Sequence, residues 1–254
     1  MNRKEDYIAV FDSGVGGISV LRHLRKWMPN ERYLYFGDSA NAPYGSRPTE
    51  EIRRLAENVA EYLLTRGIKA LVVACNTATS AAIGALREKY PELIVIGIEP
   101  ALKPAVDAFP GGPIGVLATP VTLREEKFRR LVESYSGHCR VIDLPAPGLS
   151  QLVEHGLGDS EEAEALLRPI LAPWAGEMDA LVLGCTHYPF AVATIRRIMG
   201  EDILLLDGGD GTARETRRRL AQAGLLYDGP GQLHWENSAG DPEILKLCEI
   251  LLEQ

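Results

Sequence analysis

Two short segments hold the residues best suited to proton chemistry: Cys75-Asn76-Thr77-Ala78-Thr79 and Cys185-Thr186-His187-Tyr188-Pro189. Each opens on a cysteine directly after an apolar run, residues 70–74 and 180–184. A lone cysteine in such a place is ordinarily a small core residue. Two of them at matching places, each followed by hydroxyl, amide or imidazole side chains, suit a different task. If they reach one cleft from opposite sides, one thiol can take a proton from one face of a carbon and the other can return a proton to the opposite face. A free thiol has a pKa of about 8.5 and acts as a base only once tuned toward thiolate. The groups available for tuning are Asp12, His187 and Glu154. Cys139 and Cys248 are read as structural.

The elements that must position these residues recur along the chain. Apolar runs at 7–11, 33–36, 70–74, 94–98, 114–118, 180–184 and 203–206 lack polar alternation. That is the signature of strands buried on both faces of a parallel sheet. Helical stretches lie between them. Residues 49–66 start at Thr49, carry Ile52, Leu55, Val59 and Leu63 on one face and stop at Gly67. Residues 122–136 open on a capping box of Thr122 and Glu125 and end before Gly137. Residues 241–252 have Asp241 as cap and Pro242 at the first helical position. Strands alternating with helices predict an α/β fold with parallel sheets.

Three strand pairs repeat in the same order: 8–11 with 114–117, 70–75 with 180–185, and 94–97 with 203–206, at offsets of 106, 110 and 109 residues. Two similar α/β domains are therefore expected, residues 1–98 with 208–254 and residues 99–207. In open parallel sheets ligands bind beyond the carboxyl ends of the strands. Four polar clusters fall there: Asp12-Ser13-Gly14-Val15-Gly16-Gly17; Asp38 with Pro43-Tyr44-Gly45-Ser46; and the two cysteine segments.

Composition narrows the classes. The 254 residues include 27 Lys and Arg against 35 Asp and Glu, a formal charge of −8. Nucleic acid or an anionic membrane is not the expected partner, because both need a basic face. No window of about 20 apolar residues could span a bilayer. The segment MNRKEDYIAV has no apolar stretch of the secretory kind, so the cytoplasm is the expected location. The four cysteines form no CxxC pair, so free thiols and no metal site are expected. The glycines after the first strand match a dinucleotide fingerprint only in part. The last glycine is missing, although Asp38 stands about where a ribose contact would.

These segments resemble a known family. Asp12-Ser-Gly-Val-Gly-Gly17, Tyr35-Phe-Gly-Asp38, Pro43-Tyr-Gly45, Ala74-Cys-Asn-Thr-Ala-Thr79 and Gly184-Cys-Thr-His-Tyr-Pro189 look like the signature segments of the glutamate racemases. The match runs over nearly the whole chain, down to Gly240-Asp241. The resemblance implies two pseudo-symmetric parallel-sheet α/β domains with the active site in the cleft between them. It implies Cys75 and Cys185 as acid/base thiols, with Asp12, Glu154 and His187 assisting proton transfer. It places Asp12, Ser13, Pro43, Tyr44, Gly45, Asn76, Thr77, Thr119, Thr186 and His187 around a small-molecule substrate, L- or D-glutamate, destined for peptidoglycan. It implies a homodimer and no cofactor. One segment departs from the family pattern: Ala118-Thr119-Pro120-Val121-Thr122 keeps both threonines and lacks the two glycines usual there.

A racemase without a cofactor must stabilise the deprotonated carbon by fixed dipoles alone. A pyridoxal enzyme would need a lysine near the reacting carbon, and none of the seven lysines stands in the strand-end clusters. Three alternatives remain open. A related racemase could act on aspartate or a hydantoin. A cysteine amidase could use Cys185 with His187 and would have no need of Cys75. A two-lobed binding protein would take up a ligand without exchanging its protons.

Overall fold

The computed structural model describes residues 3–135 and 137–254. The chain divides into two compact units, residues up to Glu99 together with Gly209–Gln254, and Pro100–Gly208. The first unit begins β1 (Tyr7–Asp12), α1 (Ile18–Trp27), β2 (Arg32–Gly37), α2 (Thr49–Thr65), β3 (Ile68–Val73), α3 (Asn76–Lys89), β4 (Ile94–Gly97). The second runs α4 (Leu102–Ala108), β5 (Pro113–Ala118), α5 (Pro120–Arg124), α6 (Glu126–Glu133), β6 (Arg140–Pro145), α7 (Leu149–Glu154), α8 (Glu161–Leu171), β7 (Ala180–Leu183), α9 (Val192–Met199), β8 (Leu204–Asp207). The chain then returns to the first unit as α10 (Gly209–Gln222), β9 (Gln232–Asn237) and α11 (Pro242–Glu253).

Each unit is built on one parallel sheet. The first has the order β4-β3-β1-β2-β9 and the second β6-β5-β7-β8. The winding reverses beside the first strand of each unit. With right-handed crossovers, that reversal puts helices on both faces of a sheet. In the first unit α1 packs on α10 and α11, and α2 packs on α3. In the second unit alternate residues of one strand serve two separate cores. Ile114, Val116, Ala118, Ala180 and Val182 enter one, and Leu117, Leu181 and Leu183 enter the other. Double-sided burial explains why these strands read as unbroken apolar runs.

The two strands absent from the sequence reading, β6 and β9, are sheet edges. Both alternate or remain half-covered, so neither carries a continuous apolar run. The helix α2 starts at Thr49 as expected, with Pro48 in its cap position, whereas one helix start differs. The expected helix over 122–136 is instead α5 and α6, divided at Glu125, whose ψ of 140° is extended. Thr119 is the cap: its Oγ1 accepts from the Thr122 amide at 3.2 Å, with Pro120 in the first turn. The Thr122 hydroxyl is engaged with Thr119 Oγ1 at 3.0 Å, so it does not open a helix of its own. Gly67 ends α2 as expected, at φ +72°, and Asp241 caps α11.

One charge pair lies inside the first unit, at the amino end of β3. Lys69 and Glu31 are almost fully buried, with Nζ 2.6 Å from Glu31 Oε2. Lys69 also donates to the carbonyls of Lys4 and Leu225, and Glu31 Oε1 accepts from the Tyr227 amide. Burial lowers the Lys69 pKa from its ordinary value, although Glu31 opposes that shift. Breaking a buried pair strands the remaining charge, at a cost of about 3–5 kcal/mol. Glu31→Leu is therefore expected to lower stability by about that amount in urea unfolding. The double replacement Glu31→Leu with Lys69→Met is expected to recover most of the loss.

Candidate active site

Topology selects where chemistry can sit. In doubly wound sheets the crevice opens beyond the carboxyl ends of the two strands that flank the reversal. In the first unit those strands are β1 and β3, and they run into Asp12-Ser13 and Cys75-Asn76. In the second they are β5 and β7, and they run into Thr119 and Cys185. Each sheet thus carries one cysteine just past its own switch point.

In the first unit Asp12 is fully buried and its Oδ1 accepts from the Gly14 amide at 3.0 Å. That turn carries Ser13 into the buried interior. The Tyr35 hydroxyl, donating to Gly14 O at 2.7 Å, holds the loop from β2. Gly17 is required by close approach, since a Cβ there would lie 2.6 Å from Asp12 Cβ. Cys75 is the cap residue of α3, and its sulfur accepts from the Ala78 amide at 3.4 Å. A helix N-terminus favours negative charge on its cap. The Cys75 thiol also donates to Ser13 Oγ at 3.6 Å. Asn76 and Thr77 are buried in the first turn of α3. Asn76 Oδ1 is buried without a hydrogen-bond partner.

Pro43-Tyr44-Gly45 belongs to the connection between β2 and α2, and Tyr44 is buried. Its ring meets Phe11 edge-on at 6.2 Å and its hydroxyl donates to Asp38 Oδ2 at 2.6 Å. Burial, then the charge of Asp38, push the phenol pKa far above its ordinary value, with smaller contributions from Cys75 and Asp12. Tyr44 is therefore a neutral donor near both groups. Asp38, which stood in the sequence where a ribose contact would, spends its carboxylate on Tyr44 and on Asn41.

In the second unit the cysteine has different company. Gly184 lets β7 approach β5: its amide donates to Leu117 O at 2.7 Å, and a Cβ would lie 2.9 Å from Ala118 Cβ. Cys185 Sγ lies 3.6 Å from His187 Nδ1, and His187 Nε2 lies 2.5 Å from Glu154 Oε1 at the end of α7. Burial alone would lower the imidazole pKa. The hydrogen bonds to Cys185 and Glu154 outweigh it and hold the ring well above the ordinary 6.5. Thr186 is buried beside them in sequence, and Tyr188 donates from its hydroxyl to Ala146 O at 3.0 Å. Thr119 caps α5 at the end of β5.

The structure thus groups Asp12, Ser13, Tyr44, Cys75, Asn76 and Thr77 in one unit, and Glu154, Cys185 and His187 in the other. Tyr35 and Tyr188 stand in segments singled out from the sequence, but their role in holding loops was not assigned there. Their signal was present, since a tyrosine in a buried run must find a partner for its hydroxyl. None of the four cysteines is in a disulfide. Among the described residues no group of three or more His, Cys, Asp and Glu side chains could hold a metal ion, and no helix is long and apolar enough to cross a membrane.

The Asp/Glu/Hydantoin racemase family model matches residues 16–216. The chain belongs to this family. A glutamate racemase of Clostridium perfringens is 47% identical over 97% of this chain and 96% of its own length. The crystal structure of a glutamate racemase isoform from Bacillus anthracis superposes with a TM-score of 0.89 at 32% identity, covering 99% of this chain and 96% of that one. That of the Francisella tularensis glutamate racemase, in complex with D-glutamate, gives 0.85 at 26% identity over 99% and 95%. The isomerase class, the racemase activity and the two-unit parallel α/β fold expected from the sequence all stand.

A raised histidine pKa contributes stability that is complete below the unfolded value and lost as pH rises through the folded one. Removing Glu154's charge takes away one of the two groups that raise it. In Glu154→Gln the His187 titration midpoint is expected to move to lower pH, read from ring-nitrogen chemical shifts in histidine-labelled protein. The stabilising contribution should then be lost at a lower pH than in the wild type. An unmoved midpoint would mean that Glu154 does not hold the imidazolium.

Proposed function

We propose that the protein interconverts L- and D-glutamate by moving the Cα proton between two thiols, Cys75 and Cys185. The observation that carries this reading is the pairing of one buried thiol with the switch point of each sheet. A one-thiol mechanism has no use for the second. Family membership and full-length similarity to proteins named glutamate racemase support the substrate.

In the L-to-D direction Cys185 acts as the base on L-glutamate, and Cys75 gives its proton to the opposite face. In the reverse direction the roles exchange. His187, held by Glu154, supplies positive charge beside Cys185. Cys75 has the Ala78 amide of α3 and the Ser13 hydroxyl, with Asp12 on the adjoining loop. Substrate carboxylates and ammonium are held by Ser13, Asn76, Thr77, Thr119 and Thr186, together with the Pro43-Tyr44-Gly45 turn. The unpartnered Asn76 Oδ1 suits the substrate ammonium. Carbanion character at Cα is stabilised by these fixed dipoles, which need no reorganisation as charge develops. The reading extends to a cytoplasmic homodimer that supplies D-glutamate for peptidoglycan, as the family resemblance implies.

The decisive measurement uses the purified protein with L-glutamate in D2O, and deuterium at Cα together with growing D-enantiomer is expected. Cys75→Ser and Cys185→Ser should each lower racemisation by about 10²–10⁴-fold, the usual worth of a positioned acid or base, with unfolding midpoints little changed. Racemisation at the wild-type rate in either variant would overturn the two-thiol reading. Ammonia release from glutamine that ignores Cys75→Ser would point to an amidase.

A further inference from the structure

We infer that Asp38 is a positioning residue for this reaction: its buried carboxylate fixes the Pro43-Tyr44-Gly45 turn against β1 and α3. The inference rests on the two-thiol reading and assigns to that site a residue the reading does not use. Asp38 follows β2 directly, and its amide donates to Asp12 O at 2.9 Å, so its backbone is locked to the end of β1. Only 2% of it is exposed. Its carboxylate makes no capping bond to the 3-10 turn Ser39–Asn41 that it precedes. It accepts instead from Tyr44 Oη at 2.6 Å and from Asn41 Nδ2 at 3.0 and 3.2 Å. Burying a carboxylate is costly. What this one gains is a short, charge-assisted bond that sets the position of one hydroxyl.

The rest of the connection is tied down independently. Asn237 Nδ2 donates to Ser39 Oγ at 2.9 Å, and the Ala40 amide donates to Ser238 Oγ at 3.0 Å, both from the end of β9. Arg47 Nε closes the far side on Asn41 O at 2.8 Å. Between these anchors the Tyr44 ring is seated on Phe11, and the Tyr44–Ser46 turn packs on α3. The Tyr44–Asp38 bond therefore decides where the middle of the connection rests. Burial, then the charge of Asp38, raise the phenol pKa far above its ordinary value, so the hydroxyl remains the donor in this bond. The thiols are held by their own elements, so Asp38 acts on substrate positioning and not on proton transfer.

The test compares Asp38→Ala, Asp38→Asn, Tyr44→Phe and the double variant Asp38→Ala with Tyr44→Phe in the full chain. Racemisation of L- and D-glutamate is measured at steady state, with urea midpoints recorded alongside. Asp38→Ala is expected to raise KM by about 10–100-fold, the scale of a misplaced binding group, with kcat held within about three-fold. Asp38→Asn keeps an acceptor for the phenol and should recover most of the loss. Tyr44→Phe should raise KM as Asp38→Ala does, and the double variant should add less than about two-fold to either single one, because both remove one coupled interaction. An unchanged KM in Tyr44→Phe, equal KM in the Ala and Asn variants, or multiplied effects in the double variant would each overturn the assignment. Should Asp38→Ala not fold, Tyr44→Phe and Asp38→Asn still decide it. A wild-type protein that racemises while these variants keep its KM removes only the role of Asp38. A wild-type protein that exchanges no Cα proton of glutamate removes the two-thiol reading and this inference together.

Discussion

A parallel strand packed on both faces has room for polar chemistry only at its ends. The rest of this structure follows from that constraint. Along β3 all six residues are buried, and the polar groups collect at the two extremities. At the amino end Lys69 meets Glu31 and two carbonyls, clamping the chain near Lys4 and near Leu225. At the carboxyl end stands Cys75, with Asn76 and Thr77 behind it in α3. One end of the strand secures the fold, and the other presents a buried thiol.

The same logic, repeated in the second unit, gives an unequal result. Cys75 meets the Ala78 amide and a serine hydroxyl, both fixed by helix and loop geometry. Cys185 relies on an imidazole that is itself held by a carboxylate 33 residues earlier in the chain. A dipole at a helix end carries no proton to lose, whereas an imidazole does. Two cysteines at matching places on similar sheets thus have different electrostatic surroundings.

Glycines and phenols, more than charges, bring the loops to their places. Gly17 and Gly184 stand where any Cβ would collide with Asp12 or Ala118. Tyr35 and Tyr44 each reach from a packed ring to a polar atom on a loop that bears candidate residues, and Tyr188, next to His187, reaches Ala146 O. The rings are part of the core and the hydroxyls part of the loops, so rigidity is passed from one to the other.

The sequence alone determined the buried strands, the parallel α/β class and the two cysteines at matching strand ends, because double-sided burial and strand-end polarity are local properties that composition and spacing record. It did not reveal β6 and β9, whose edge positions leave them half-covered and without an apolar run. It misplaced the start of α5, because Thr119-Pro120 and Thr122-Glu125 are both sound helix openings locally and only the end of β5 selects the first. Tertiary structure alone decided that Glu154 reaches His187, across 33 residues of chain. That partnership is set by the packing of α7 on the turn that follows Cys185, and packing between distant elements is a long-range property that no local pattern of residues encodes.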